Sequence, residues 1–162
     1  MVNKYDDATL IRAEEIADTL YPHQVEGVAF LMGRRRSLLA DDMGLGKTRQ
    51  SIIAMTETEP RGPYLVISHA SVKLNWVREI AIVLSDAETA IVGPADLPSA
   101  DFTGWVIINY DILGKQIDGL QAFGWTGFIF DEAHFSFTVC SKPICYDNHG
   151  VLDRRDATPV TH

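Results

Sequence analysis

The sequence predicts one α/β domain with a mostly parallel sheet, and three observations support this fold class. Several short, near-continuous apolar runs are typical of strands that are covered on both faces, as in a parallel sheet. A glycine-rich loop in residues 38–48, LLADDMGLGKT, separates one such run from a helical pattern. Another run, residues 127–130, ends directly in the acidic pair Asp131 and Glu132. Strands that alternate with helices in this way favour an α/β fold.

The glycine-rich loop has the chemistry of a nucleotide-phosphate cradle. Gly44 and Gly46 allow a tight turn with inward-pointing backbone amides, and Lys47 and Thr48 open the following helix. Amides at a helix N-terminus hold phosphate oxygens, the lysine reaches the outer phosphates, and the threonine hydroxyl ligates Mg²⁺. Asp41 stands where the general phosphate-loop pattern has its first glycine. A glycine-rich turn that merely carries a lysine is therefore the alternative.

The acidic pair gives a second chemical signal. We expect the strand before Asp131 to lie beside the strand of residues 38–40, where a carboxylate at the strand end can hold Mg²⁺. The adjacent Glu132 can align or deprotonate an attacking water. A solvated acidic loop is the alternative, and the phosphate-type loop upstream argues against it.

These motifs resemble those of the Swi/Snf-type ATPases, superfamily-two helicase relatives that translocate on duplex DNA. Residues 41–48, DDMGLGKT, look like motif I of that family, which also has an acidic residue where Asp41 stands. Residues 131–134, DEAH, look like its acidic box. The resemblance covers about residues 20–134 and implies a RecA-like three-layer sandwich, the P-loop NTPase lobe of such motors.

The resemblance implies roles for individual residues, with ATP and Mg²⁺ as cofactors. Thr48 and Asp131 would hold Mg²⁺, and His134 would couple the nucleotide state to the DNA face. The residues implied to be catalytic are Lys47, Asp131 and Glu132, and those implied to bind ATP are Gln24, Asp42, Met43, Gly44, Leu45, Gly46, Lys47 and Thr48.

Two further segments carry implied contacts. In the family, a glutamine in a Pro-x-Gln segment reads the adenine edge, which implies base selection by Gln24; a surface glutamine at a helix start is the alternative. The stretch after residues 64–68 resembles motif Ia, whose loop faces nucleic acid in relatives. This implies Ser68, His69 and Lys73 as candidate phosphate contacts, although each could equally be an ordinary loop or cap residue.

The remaining elements follow from apolar periodicity and turn residues. We expect Ser71 to cap a helix, Trp76 to pack in the core, and Tyr110 to be structural. Residues 11–16 fit either a short hairpin or a helical turn. Helices are predicted at residues 20–33, 47–55, 72–82 and 112–123, and strands at residues 38–40, 64–68, 89–93, 105–110 and 127–130.

Composition favours an intracellular protein. The chain has 162 residues, 46% of them hydrophobic, which suits one domain with a sizeable core rather than two such lobes. No apolar run approaches the ~18 residues that span a bilayer, and the N-terminus lacks an apolar signal region, so we expect no membrane association. Two cysteines give no disulfide framework, so we expect a cytoplasmic location, or a nucleoid or nuclear one.

The net charge of −8 predicts weak DNA affinity for this chain alone. A stand-alone duplex binder shows a basic stripe that neutralises phosphates, and the dense basic cluster here is Arg34, Arg35 and Arg36. The same run also fits a solvated helix end, where positive charge is favourable to the helix dipole.

The resemblance fails after His134, so we divide the chain into a lead-in of residues 1–19, the ATP-binding lobe of residues 20–136 and a divergent tail of residues 137–162. We expect the tail to be poorly ordered, because it lacks the helix and the strand that the family has there. An echo of the family's motif III in residues 156–159 is read as coincidence, and Cys140, Cys145 and His149 as an unconvincing zinc set.

The sequence therefore predicts the ATP-binding lobe of a Swi/Snf-type DNA translocase or helicase. Its second RecA-like lobe would lie on another chain or be missing, and its partner would be DNA. A non-catalytic nucleotide-binding or interaction module is the alternative. A P-loop kinase is a third reading, and the order of the motifs argues against it.

Overall fold

The computed structural model describes most of the chain. The described residues are 5–40, 44–132, and two short strands at 145–146 and 152–153. The protein has the predicted α/β class, with an all-parallel sheet of four strands. The chain divides into two compact units: unit 1 is Met1–Arg61 with Asn75–Ala87, and unit 2 is Gly62–Leu74 with Glu88–His162.

Unit 1 is helical. Its helices are α1 (Asp7–Ile16), α2 (Pro22–Met32), α3 (Lys47–Thr58) and most of α4 (Lys73–Val83). Residues 11–16 therefore belong to a helix rather than to a hairpin. Asp6 starts α1, because its Oδ1 accepts a 2.7 Å hydrogen bond from the Thr9 amide. Pro22 occupies the first turn of α2, as predicted.

The core of unit 1 is lined by small side chains, which let α1, α2 and α3 approach closely. Trp76 of α4 is 2% exposed, which confirms its predicted place in the core. The buried residues of this α1–α3 core are Ala13, Ala17, Val28, Ala29 and Ala54.

Unit 2 contains the sheet. Its strands are β1 (Tyr64–Ser68), β2 (Thr89–Ile91), β3 (Trp105–Asn109) and β4 (Gly127–Phe130), in the order β2-β3-β1-β4. β1 and β3 are buried along their whole length, as expected for near-continuous apolar runs in a parallel sheet. Because the strands are parallel, the loops that follow β1, β3 and β4 leave the same edge of the sheet.

Helix α5 (Tyr110–Leu120) follows β3 and covers part of this sheet. Leu113 and Leu120 of α5 pack in one cluster with Leu65, Ile67 and Val106 of the strands. The helix begins two residues earlier than predicted, so that Tyr110 is its first residue.

Three predictions about the sheet are corrected. Residues 38–40 form no strand: Leu38 exposes 72% of its surface, and the described sheet ladders do not include this segment. An apolar run becomes a strand only where a neighbouring backbone pairs with it. The strand before Asp131 consequently does not lie beside a phosphate strand, because the described partner of β4 is β1. β4 is also less buried than predicted, ending at the exposed Phe130.

The predicted helix cap at Ser71 is also wrong. A single 3₁₀ turn, Ala70–Val72, precedes α4, and the residue that caps it is His69, whose Nδ1 accepts from the Ser71 amide. Imidazole nitrogen and hydroxyl oxygen are both acceptors, and here the imidazole occupies the capping position.

The domain boundaries stay predictions, and little of the tail is described. Within the predicted tail, Cys145–Tyr146 and Leu152–Asp153 form a short antiparallel pair of strands. Residues 156–159, Cys140 and His149 lie outside the described residues. None of the described helices is long and apolar enough to cross a membrane.

Candidate functional site

The glycine-rich loop runs directly into helix α3 in unit 1. Gly46 is the residue before the helix, with φ 74° and ψ 28°, and Gly44 has φ 85°. Both lie in the left-handed region, where a Cβ is sterically costly and glycine is not. Lys47 and Thr48 are the first residues of α3, so their amides belong to the turn of a helix that attracts anions.

The space beside these two glycines differs. Among the described residues, a Cβ added at Gly44 would meet no atom within 4 Å, whereas one at Gly46 would lie 2.1 Å from Nε2 of Gln24. Lys47 and Thr48, at the start of the helix that follows, are partly buried. A glycine turn that leads into such a helix start is chemically suited to hold phosphate groups and Mg²⁺.

Gln24 connects the start of α2 to this loop. Its Oε1 accepts a 3.0 Å hydrogen bond from the Tyr21 amide, and its Nε2 donates a 3.0 Å hydrogen bond to the Leu45 carbonyl. The side chain is 8% exposed, so it is not the surface glutamine that was the alternative.

Gln50 is a residue that the sequence analysis missed. It is fully buried in α3, and its Nε2 donates a 3.0 Å hydrogen bond to the same Leu45 carbonyl. Two glutamine amides therefore hold one carbonyl of the loop. A signal was available, because Gln50 follows Gly46 by four residues and so returns to the helix face that carries the loop.

The acidic pair lies at the end of β4 in unit 2. The Asp131 amide donates a 2.9 Å hydrogen bond to the Ile67 carbonyl, which extends the pairing with β1 beyond Phe130. Glu132 has φ 53°, a left-handed conformation that is uncommon for a residue with a Cβ. Strained backbone of this kind occurs preferentially at functional sites.

Tyr110 contacts this acidic turn. Its hydroxyl donates a 2.8 Å hydrogen bond to the Asp131 carbonyl. Burial raises the pKa of Tyr110 to about 12, and the negative charges of Asp131 and Glu132 are smaller contributions in the same direction. The hydroxyl is therefore a protonated donor at neutral pH. The expected structural role of Tyr110 thus includes direct support of the acidic pair.

The three candidate nucleic-acid contacts lie where β1 ends. Ser68 is fully buried, and its hydroxyl donates to the His69 carbonyl at 3.3 Å. Lys73 is partly buried, and its ammonium donates to the Val92 carbonyl at 3.2 Å and to Oδ1 of Asn109 at 2.9 Å. His69 is the most exposed of the three. For Lys73, contact with a phosphate would require exchange of these protein acceptors.

The arginine cluster follows the end of α2. Nη1 of Arg34 donates to the Phe30 carbonyl at 3.4 Å, and its guanidinium lies 4.2 Å from the centroid of the Phe30 ring. This geometry favours the helix-end interpretation for Arg34. Arg35 and Arg36 are exposed.

The structure thus groups the predicted site residues within each unit. Gln24, Leu45 and Gly46 meet in unit 1, whereas Asp131 and Glu132 adjoin Tyr110 in unit 2. Across the described ranges, no group of three or more His, Cys, Asp or Glu side chains is placed to hold a metal ion, and Thr48 and Asp131 stay predicted Mg²⁺ ligands. Asp42, Met43 and His134 lie outside the described residues.

Comparison with protein families places this geometry in context. The family profile described as "SNF2-related domain" matches residues 23–136. A Xenopus tropicalis protein named SWI/SNF-related matrix-associated actin-dependent regulator of chromatin subfamily A-like protein 1 is 36% identical over 126 residues, covering 75% of this chain and 13% of that protein. The ISWI chromatin-remodeling complex ATPase ISW1 of Saccharomyces cerevisiae is 36% identical over 134 residues, covering 71% and 12%.

A bacterial protein and a solved structure are also similar to this chain. The putative ATP-dependent helicase/translocase YwqA of Bacillus subtilis is 33% identical over 130 residues, covering 71% of this chain and 14% of that protein. The solved Sulfolobus solfataricus SWI2/SNF2 ATPase core in complex with dsDNA matches with a TM-score of 0.62 and 28% identity, covering 72% of this chain and 26% of that chain. The structural match confirms the predicted RecA-like fold class. The chain spans only 12% to 14% of the length of these curated relatives.

Proposed function

Because this chain belongs to the SNF2-related domain family, we propose that it is the ATP-binding lobe of a Swi/Snf-type ATPase that couples ATP hydrolysis to movement on DNA. The relatives support the ATPase assignment, since they include a chromatin-remodeling ATPase and a putative helicase/translocase. The observation that carries the proposal is the loop geometry: Gly44 and Gly46 are both left-handed, and Gly46 leads into Lys47 and Thr48 at the start of α3.

Each residue of the loop has a role in this proposal. The amides of the loop and of the first turn of α3 hold phosphate oxygens, and the Lys47 ammonium neutralises the outer phosphates. Thr48 and Asp131 are the proposed Mg²⁺ ligands, while Gln24 selects the base. Bound Mg²⁺-ATP supplies the phosphoanhydride bond that is cleaved.

The acidic turn has the proposed role of handling water. Glu132 is the general base or water-orienting group, and the direction of its side chain depends on its own left-handed backbone conformation. Tyr110 fixes this turn through the Asp131 carbonyl. His134 remains the proposed coupling residue, and Asp42 and Met43 remain proposed loop contacts.

DNA is the proposed partner, as it is for the SWI2/SNF2 core solved with dsDNA. The loop after β1, with Ser68, His69 and Lys73, is the proposed contact surface. A net charge of −8 disfavours tight binding to phosphates, so we expect most DNA affinity to require a second lobe. Such a lobe also contributes arginine fingers, worth about 10³ to 10⁵ in rate in comparable enzymes, so we expect slow hydrolysis by this chain alone.

The experiment compares steady-state ATP hydrolysis by the wild-type chain and by Glu132→Gln, each with and without duplex DNA. An ATPase lobe gives slow turnover that the substitution removes. Because the net charge of −8 disfavours DNA binding by this chain, a second candidate is a non-catalytic nucleotide-binding or interaction module. That candidate predicts ATP binding with the same background turnover in both proteins.

A further inference from the structure

The Leu45 carbonyl accepts hydrogen bonds from two glutamine side chains, although one donor would satisfy it. Nε2 of Gln24 and Nε2 of Gln50 each lie 3.0 Å from this oxygen. A carbonyl oxygen has two lone pairs and can accept both. If one donor leaves, the other still satisfies the carbonyl and the loop keeps its anchor.

The two donors differ in their surroundings. Gln50 is 0% exposed and lies against Gly27 of α2, where an added Cβ would be 1.9 Å from its Oε1 and 3.0 Å from its Cδ. No residue in the described part of the chain gives its Oε1 a hydrogen bond. This buried side chain is held by packing and by its one hydrogen bond to the loop. Gln24 is 8% exposed and lies beside Gly46, at the loop itself; its Oε1 accepts a 3.0 Å hydrogen bond from the Tyr21 amide, and its Nε2 faces the loop.

We propose that Gln50 is a positioning residue that holds the Leu45 carbonyl, so that the Gln24 amide can exchange this carbonyl for an adenine base. The proposal rests on the proposed function, in which the loop binds ATP and Gln24 selects the base. Gln50 itself contacts no nucleotide. Without Gln50, the Gln24 amide would have to bind both the Leu45 carbonyl and the base. Recognition of the base would then compete with anchoring of the loop.

Gly27 of α2 leaves the space that the Gln50 amide occupies. A methyl group at this position would overlap the Gln50 amide, so that the amide would have to shift from its present place against Leu45. Gly27→Ala therefore acts on the loop indirectly, by displacing Gln50. It provides an independent variant with the same expected outcome as direct replacement of Gln50.

Three ligands separate loop anchoring from base recognition: Mg²⁺-ATP, Mg²⁺-GTP and Mg²⁺-tripolyphosphate, which has no base. Their dissociation constants are measured by calorimetry for the wild-type chain and for Gln50→Met, which keeps the side-chain volume and removes the amide. Gln116→Met is the matched control, because Gln116 donates to the Gly93 and Pro94 carbonyls at 3.1 and 2.8 Å.

We expect the wild-type chain to prefer ATP to GTP. In Gln50→Met, ATP affinity should fall by about fivefold to tenfold, the equivalent of one lost hydrogen bond, and the preference over GTP should largely disappear. Tripolyphosphate affinity should change by less than about twofold, since Gln24 can remain on Leu45 when no base is present. Gln116→Met should leave all three constants unchanged.

An equal loss for all three ligands would overturn the proposal, because it would indicate a packing role only. Unchanged constants, or a wild-type chain that binds ATP without preferring it to GTP, would also overturn it. If the wild-type chain binds no ATP, the proposed function itself fails. If Gln50→Met does not fold, a double variant, Gly27→Ala with Gln50→Ala, replaces it, because the new methyl group fills part of the space that the Gln50 side chain leaves. This double variant should lose the preference for ATP over GTP. Retention of that preference would contradict the proposal.

Discussion

The hydroxyl of Tyr110 donates a 2.8 Å hydrogen bond to the backbone carbonyl of Asp131. This bond joins the first residue of α5 to the turn that follows β4. The next residue, Glu132, has the left-handed φ of 53°. A buried side chain therefore supports the backbone from which the proposed Mg²⁺ ligand and the proposed water-handling carboxylate project.

Tyr110→Phe removes this bond without changing the ring. We expect the free energy of unfolding to fall by about 1 kcal/mol and the residual ATP turnover to fall more than ATP affinity does, because the acidic turn loses its support. Urea unfolding and single-turnover kinetics provide the measurements. Tyr21→Phe is the control, since Tyr21 is 70% exposed. Equal effects of the two substitutions would refute the positioning role.

The raised pKa of Tyr110 predicts a pH dependence of stability. Its pKa rises from an ordinary value of 10.0 to about 12 in the folded protein, so the unfolded chain loses the proton first. The contribution is therefore complete below about pH 10 and is lost as pH rises through about 12, by at most about 3 kcal/mol. Urea unfolding at about pH 9 and about pH 11.5 should show this loss in the wild type and not in Tyr110→Phe. Parallel pH profiles for the two proteins would count against it.

Glu132 combines backbone strain with a proposed catalytic role. Glu132→Gln keeps the shape and should retain ATP affinity, while residual turnover falls by about 10² to 10⁴ because the base is lost. Glu132→Gly should be more stable than Glu132→Ala by about 1 kcal/mol, since only glycine adopts the left-handed φ without cost. Thermal unfolding of both variants tests the strain, and an unchanged rate in Glu132→Gln would reject the catalytic role.

The two loop glycines should respond differently to alanine. At Gly44 the added Cβ meets no atom of the described residues, so the left-handed backbone is the expected penalty, at about 1 to 2 kcal/mol. At Gly46 the same penalty is joined by the overlap with Gln24, so stability and ATP affinity should both fall further. Gly114→Ala, inside α5 and with nothing near its Cβ, should instead stabilise by about 0.5 to 1 kcal/mol. Chemical denaturation ranks the three, and equal losses at the two loop positions would contradict this loop geometry.

The fold was largely predictable because its signals are local. β1, β3 and β4 follow uninterrupted apolar runs, and the phosphate-type loop has glycines at the two positions with positive φ. The strand predicted at residues 38–40 was wrong, because apolar residues carry no information on whether a neighbouring strand pairs with them.

The site was less predictable, because its key contacts join residues distant in sequence. Gln24 bonds to Leu45 across 21 positions, and Tyr110 bonds to Asp131 across a similar interval. The periodicity of apolar residues along the sequence does not indicate such pairs. Gln50 was missed for a related reason: a polar residue on an amphipathic helix is normally placed on the solvent face, whereas this one is fully buried.

Binding of Mg²⁺-ATP to the isolated chain tests the central assignment most directly. Calorimetry would compare the wild-type chain with Lys47→Ala and with Lys115→Ala, which removes the same charge from an exposed position of α5. We expect measurable binding by the wild type and by Lys115→Ala, and a loss of at least about tenfold in Lys47→Ala, because a charge-assisted contact to phosphate disappears. Equal affinity of Lys47→Ala and the wild type would contradict the phosphate-cradle assignment.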